Sequence, residues 1–565
     1  MSKPETGHEE DVSVVEPIGL LPDDEPNTIY QVRWRTLMAI FALSWSNNCA
    51  AISNTTNTII SFQIQDLGGV SLASWIANAN LLVTLAFSPV FGSLSDRLGK
   101  KWFIVLCSIL GMVGSVTSGS AHKTTVIVVG NALTGLGNAG CTMGVPAAQE
   151  VTPNKFRPWT MGFSQAMASC MVIAGTIGAG ALVKYQTWRW SYYLNAFVYG
   201  TSAVLVFTFY HPPRPGLRRQ LGQRREIFSQ VDYLGTFLFV GSIASIIIAL
   251  TWGGSAYAWS SAQVIATLVA GCVGLVSFAV YEWKFTSRGI FDHRMFETRN
   301  FPILLFVCIV DGMLLLGVNV LYAQQIAGLF TTDALHIAVV LTPYLATSAF
   351  GCIPAGWVMA RTKSYRVMLV VALLWCSLFT GLMALVNPQR LSWAYAFSAL
   401  FGMGTAVTTV IPVVAIGLSV PSFLLGTAGT ISIACRALGG IVGITIFTTV
   451  YNNKIAASTA QYVGNILNAA DKGSFTGQVV AAVLSSNPMA LDDVKGLPAS
   501  LIPAIENAHL QAETYSWRFV WIAICVVVAV NAIVACSLHS VATKMNNHVE
   551  SALEKSEMRD KQLRE

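Results

Sequence analysis

The run Gly92-Ser-Leu94-Ser-Asp96-Arg97-Leu-Gly99-Lys100-Lys101 returns, in the same register and 264 residues later, as Gly356-Trp-Val358-Met-Ala360-Arg361-Thr-Lys363-Ser-Tyr-Arg366. Each copy follows one long apolar stretch and precedes another. A second pair of marks, Trp188-Arg189-Trp190 and Trp517-Arg518-Phe519, is offset by 329. The 65 additional residues must lie late in the second copy, where the segment 453–515 has about that length, so one duplication and one insertion explain both offsets. The chain therefore reads as two related halves.

Outward from these marks the sequence is oily. Of 565 residues, 54% are hydrophobic and 11% charged, a balance that a water-soluble surface does not tolerate and that excludes a soluble enzyme. Apolar windows near twenty residues each suffice to cross roughly 30 Å of hydrocarbon. They predict spans at 36–60, 71–93, 101–119, 124–148, 160–183, 192–210, 232–252, 262–282, 301–325, 336–359, 366–386, 393–416, 424–450 and 518–539. The expected fold is an all-α membrane protein with two six-helix bundles, 36–210 and 301–540, and two inserted helices within 232–282, fourteen transmembrane helices in all. Residues 1–35 and 541–565 read as cytosolic tails, 211–231 as a cytosolic loop and 453–515 as a long outer loop.

Charge sets the orientation. With both termini cytosolic, 25 of the 34 Lys and Arg fall on the inner side and eight on the outer, with Arg436 inside a span. The net charge of +6 is accounted for by this segregation, so no nucleic-acid partner is implied. The eleven cysteines are scattered through apolar stretches and read as small hydrophobes. No phosphate-binding loop, metal-ligand spacing or nucleophile motif appears, so neither cofactor, metal nor catalytic residue is expected, and energy for transport must come from a gradient.

Ionisable groups inside hydrocarbon cost roughly 2.5–3.5 kcal/mol and usually face a cavity or a partner. Asp311 and Arg436 are the two clearest. At about 100° per residue, Asp311, Val318, Tyr322 and Gln325 share one helical stripe. Asp311 is then either a proton carrier or a counter-ion to Arg436, and Arg436, next to Gly439, Gly440 and Gly443, either binds or anchors. Asn131, Asn138 and Thr142 share a stripe, as do Asn47, Asn54 and Thr58; these, with Gln165, suit either hydrogen bonding to an oxygen-rich substrate or bonding between helices. Glu150 is expected to pair with Lys155 or Arg157. Gly92 and Gly99 allow close helix approach, while Asp96 beside Arg97, Lys100 and Lys101 suits an ion-pair latch.

The Gly92 to Lys101 run resembles the signature loop of the major facilitator superfamily. Phe209-Tyr210-His211-Pro212-Pro213, Asp232-Tyr233-Leu234-Gly235 and Thr251-Trp252-Gly253-Gly254 are similar to the fungal trichothecene efflux pump family, which borders siderophore transporters. The resemblance implies a major facilitator fold that exports a small organic compound in exchange for protons, with the signature loop closing the inner gate and Asp96 engaging the other half. In the second copy Ala360 replaces the acid. The chain departs from the efflux pattern at Asn131, where an Arg is usual, and in Gly175 to Gly180, which lacks a Pro. The expected substrate cavity places Asn131, Asn138 and Gln165 opposite Asp311, Tyr322, Gln325 and Arg436, with Asp311 carrying the proton. Uptake of ferric siderophores and a non-transporting nutrient sensor are the alternatives. A monomer in the plasma membrane, or else the vacuolar membrane, is expected.

Overall fold

The computed structural model describes residues 34–68, 72–212, 232–253, 257–285, 291–331, 333–421, 424–470, 475–484, 498, 501–542 and 545. Among them the regular structure is helical, apart from one isolated bridge between Gly253 and Tyr257. Hydrocarbon imposes this, because helices satisfy their own backbone N–H and C=O groups.

The first half contains α1 (Trp34–Ser53), a 3₁₀ turn at Asn54–Ile59, α2 (Ile60–Leu67), α3 (Ala73–Leu98), α4 (Lys100–Gly119), α5 (Thr124–Cys141), α6 (Gly144–Val151), α7 (Arg157–Tyr185) and α8 (Arg189–Phe209). The inserted pair is α9 (Tyr233–Trp252) and α10 (Ala262–Lys284). The second half contains α11 (Asn300–Gly312), a π turn at Met313–Gly317, α12 (Val318–Leu329), α13 (Ala334–Thr362), α14 (Tyr365–Met383), α15 (Leu391–Ser419), α16 (Leu425–Ala469), α17 (Thr476–Leu484) and α18 (Ile502–Ala535). Side chains cap several starts: Asp232 accepts from Gly235 N at α9, Ser261 from Val264 N at α10 and Asp333 from Leu335 N at α13.

Twelve helical stretches among the described residues are long and apolar enough to cross a membrane. α1 and α3 occupy the first two expected positions, but Asn47, Asn48, Asn78, Asn80 and Asp96 dilute their apolarity. By length and composition the number is therefore twelve, where fourteen were expected. The segment 453–515 also differs from expectation. It is largely helical: α16 continues through it to Ala469, α17 lies within it and α18 begins at Ile502. The 45 residues of α16 extend about 67 Å at 1.5 Å per residue, far beyond the hydrocarbon. Val463 and Leu467 on α16, Val479 on α17, and Ile505 and Ala508 on α18 form a separate small core there, and burial of these helically spaced residues is what orders the segment. The expected tails and the loop 211–231 fall outside the described residues, apart from Trp34, Arg35, Val541, Ala542 and Met545 and the first two positions after Tyr210.

The duplication is visible in the backbone. Gly99 has φ +97° and its counterpart Lys363 has φ +55°, so both copies of the loop turn through a residue of positive φ, which Gly adopts freely and Lys at a cost of about 1 kcal/mol or more. The packing repeats as well. A Cβ at Gly92 on α3 would meet Thr430 on α16, and one at Gly356 on α13 would meet Pro158 on α7. Hence α3 crosses α16 and α7 crosses α13, and these two seams join the halves. The inserted pair covers the first seam, where Phe239, Ile243, Ile247 and Phe278 pack with Leu85 and Ala86 of α3 and with Ala434, Ala437 and Ile441 of α16.

Candidate functional site: a latch between the halves and two buried polar knots

The signature loop delivers Asp96, at the end of α3, to the first turn of α16 in the other half. Its Oδ2 accepts from the Thr427 backbone N at 2.7 Å and from the Thr427 hydroxyl at 2.8 Å. An anion at a helix N-terminus meets unpaired N–H groups and the positive end of the helix dipole, so both charge and geometry favour the contact. Gly426 makes room for it, since a Cβ there would lie 2.0 Å from Asp96 Oδ1. Lys100, 5% exposed, stands 3.2 Å from Asp96 Oδ1 and also bonds Glu150 of α6. Glu150 thus receives Lys100, a partner not named among those expected.

Arg157, 2% exposed, also fastens the second seam: its guanidinium donates to the carbonyls of Gln149 and, across the halves, Gly417 at 3.1 Å each. Gly92, Gly99, Asp96 and Lys100 therefore act together. Lys101 turns elsewhere, with its ammonium 5.1 Å from the Phe207 ring centroid. The side chain of Arg97 lies outside the described residues. Sequence reading missed Thr427 and Gly426 because a helix start 331 residues away carries no mark of its partner.

Asp311 and Arg436 do meet. Arg436 Nε donates to Asp311 Oδ2 at 2.7 Å and its Nη2 to the Thr409 carbonyl at 2.5 Å, while Thr408 and Thr409 hydroxyls donate to Asp311 Oδ1 at 2.8 and 3.4 Å. Asp311 is 1% exposed. The knot ties α11, α15 and α16, and glycines let the helices close around it: a Cβ at Gly312 would meet the Arg436 carbonyl, and one at Gly439 the Ile309 carbonyl.

Tyr322 and Gln325 are not in this knot. Tyr322 donates to the Ala394 carbonyl of α15 at 3.2 Å, and Gln325 Oε1 accepts from Trp521 Nε1 of α18 at 3.0 Å. The expected stripe fails because the π turn at Met313–Gly317 inserts an extra residue between Asp311 and Val318, rotating everything after it by about 100° relative to a regular helix.

The amides of the first half are also occupied. Asn138 Nδ2 donates to Ser53 Oγ and Asn80 Oδ1 at 2.8 Å each, and its Oδ1 accepts from the Tyr199 hydroxyl. Asn131 Nδ2 donates to the Ile76 carbonyl at 2.9 Å, and Ser118 donates to its Oδ1. Both are at most 5% exposed, and the Asn138 knot ties α1, α3, α5 and α8. Gln165 differs: half-buried, it accepts from Asn47 Nδ2 at 3.3 Å.

A family model described as "Fungal trichothecene efflux pump (TRI12)" matches residues 21–565. The chain is 30% identical to the efflux pump FUS6 of Gibberella moniliformis over 69% of each chain. It is 28% identical to the efflux pump FUS6 of Gibberella fujikuroi over 77% of this chain and 78% of that one. Among solved structures, the major facilitator proton:xylose symporter XylE superposes with a TM-score of 0.51 at 14% identity, covering 86% of this chain and 95% of that one, which is a likeness of fold.

Proposed function

The chain belongs to the fungal trichothecene efflux pump family, and from that premise we propose that it exports a small oxygen-rich organic compound by alternating access driven by a proton gradient. It is a multi-pass membrane transporter of the major facilitator fold. The observation that carries the mechanism is the Asp96 contact on Thr427. One residue of the first half caps a helix of the second, so closing and opening at that end is a two-state event with a defined latch. In this reading the latch faces the cytosol, as the basic residues around it require, and the conformation is the one closed to the cytosol.

Asn47 and Gln165 are the polar groups best suited to touch substrate. They are half-buried and bonded to each other at 3.3 Å, long enough to exchange for a ligand oxygen. Asn131 and Asn138 support the packing of the first half. Asp311, held by a guanidinium and two hydroxyls, supports the counter-ion reading, since removing its charge would leave Arg436 buried without its anion. The test is flux of a tritiated trichothecene in proteoliposomes. Accumulation should require an imposed pH gradient and collapse when the gradient is dissipated; accumulation indifferent to the gradient overturns the proton-driven reading.

A further inference from the structure

At the end of the bundle opposite the latch, α12, α16 and α18 converge on a second buried acid. Glu513 of α18 is 8% exposed. Its Oε1 accepts from the Tyr451 hydroxyl of α16 at 3.3 Å and lies 3.6 Å from His509 Nε2, one turn back on its own helix. Its Oε2 has no hydrogen-bond partner among the described residues, and it lies so close to α12 that a Cβ at Gly328 would be 2.4 Å away. His509 Nδ1 and Trp517 Nε1 beside it are likewise buried without partners among the described residues.

Among the described residues the surroundings bring no compensating cation. α16 contributes Tyr451, and Lys454, one turn further on, stacks its ammonium 4.5 Å from the Phe519 ring centroid. α12 contributes Gly328, and α18 contributes His509. No Lys or Arg pairs with Glu513 among the described residues. This is the reverse of Asp311, whose carboxylate is saturated.

A buried carboxylate with one orphaned oxygen favours taking up a proton, because the neutral acid costs far less to bury. Access exists beside His509, whose side chain is 25% exposed. The place also fits. Tyr451 stands 24 residues beyond Thr427 on α16, about 36 Å along the axis, at the far edge of a ~30 Å hydrocarbon layer.

We propose that Glu513, with His509 and Tyr451, is the proton-loading site of this transporter. The carboxylate takes one proton from the medium on the side opposite the latch, past the partly exposed His509 side chain. The proton on Glu513 is held as a carboxylic O–H against α12. One and two turns on from Glu513, Trp517 and Trp521 carry the same face of α18 to Tyr451 and Gln325, so neutralising the acid acts on the seam joining α12, α16 and α18. The inference rests on proton coupling as proposed above.

The test uses the full chain in phosphatidylcholine vesicles and has two arms. In the first, infrared difference spectra follow the protonated-carboxyl band on acidification without substrate. The band should vanish in Glu513→Gln and persist in Glu506→Gln, an exposed acid on the same helix; a band unchanged in Glu513→Gln overturns the assignment. In the second, tritiated trichothecene is followed both as pH-driven accumulation and as exchange against unlabelled compound. Glu513→Gln should lower the ratio of accumulation to exchange by roughly an order of magnitude or more, and Glu513→Asp should restore part of it. Equal loss of both activities, with no recovery in Glu513→Asp, assigns Glu513 a structural role and overturns the proposal. Wild-type accumulation that ignores the pH gradient defeats the coupling reading itself, whatever the infrared arm shows.

Discussion

Replacing Asp96 by Asn removes the charge from the latch while keeping its shape. The carboxylate accepts two hydrogen bonds from Thr427, at 2.7 and 2.8 Å, and faces Lys100 at 3.2 Å. Hydrogen bonds to a charged group contribute about 1.5–3 kcal/mol against 0.5–1.5 for neutral ones, so the two bonds together lose about 2–3 kcal/mol. At 1.4 kcal/mol per decade, the closed state becomes about 30- to 150-fold less populated relative to the open one. The Thr427 amide reports this directly, because its N–H is donated to Asp96 only while the latch is shut. Hydrogen exchange of the peptide spanning Leu425 to Thr430 in lipid nanodiscs should accelerate by about that factor in Asp96→Asn if exchange is limited by opening. Exchange as slow as in the wild type would refute the idea that Asp96 holds the halves together.

Three further outcomes follow from the polar groups. Asn138→Ala removes the bonds to Ser53, Asn80 and the Tyr199 hydroxyl, leaving that hydroxyl only a 3.5 Å contact with the Thr134 carbonyl, at about 1–3 kcal/mol for the group so weakened; melting in detergent should fall by several degrees while the apparent KM for export stays at the wild-type value. Asp311→Ala strands Arg436 and should cost about 3–5 kcal/mol, whereas the double variant Asp311→Leu/Arg436→Met should recover most of the lost thermal stability. Asp66, on α2, is held below the ordinary aspartate range by the Trp188 indole N–H and then by Arg189. The unfolded chain thus binds its proton more readily, so the stabilisation is present at neutral pH and is lost as pH falls below ~4; a melting-temperature scan should show Asp66→Asn converging on the wild type at acid pH.

Much of the architecture could be read from residues alone. The offset of 264 between Gly92 and Gly356 carries through to the structure as two residues of positive φ, Gly99 and Lys363, and as two crossing seams between the halves. Hydropathy located the helices because hydrocarbon leaves a chain few options. The side chains were less legible. A π turn between Asp311 and Val318 leaves no trace in a periodicity count, so Tyr322 and Gln325 were assigned to the wrong neighbours. Asn138 and Gln165 look alike on a helical wheel. Which one meets other helices and which remains half-buried depends on packing between α1, α3, α5 and α8, distant in sequence. Glu513 went unnoticed because the stretch around it was read as loop; its spacing to Trp517 and Trp521, four and eight residues on, was the helical signal available.

Rocking of two rigid halves is measured most directly by pairs of spin labels at both ends of the molecule. One pair would sit at Trp102 and Arg361 near the latch, the other at Tyr185 and Trp393 at the opposite end, all exposed in this conformation. Adding a trichothecene under a pH gradient should lengthen the first distance while shortening the second, and dissipating the gradient should reverse both changes. Distances that stay fixed, or that grow and shrink together, would contradict alternating access in this protein.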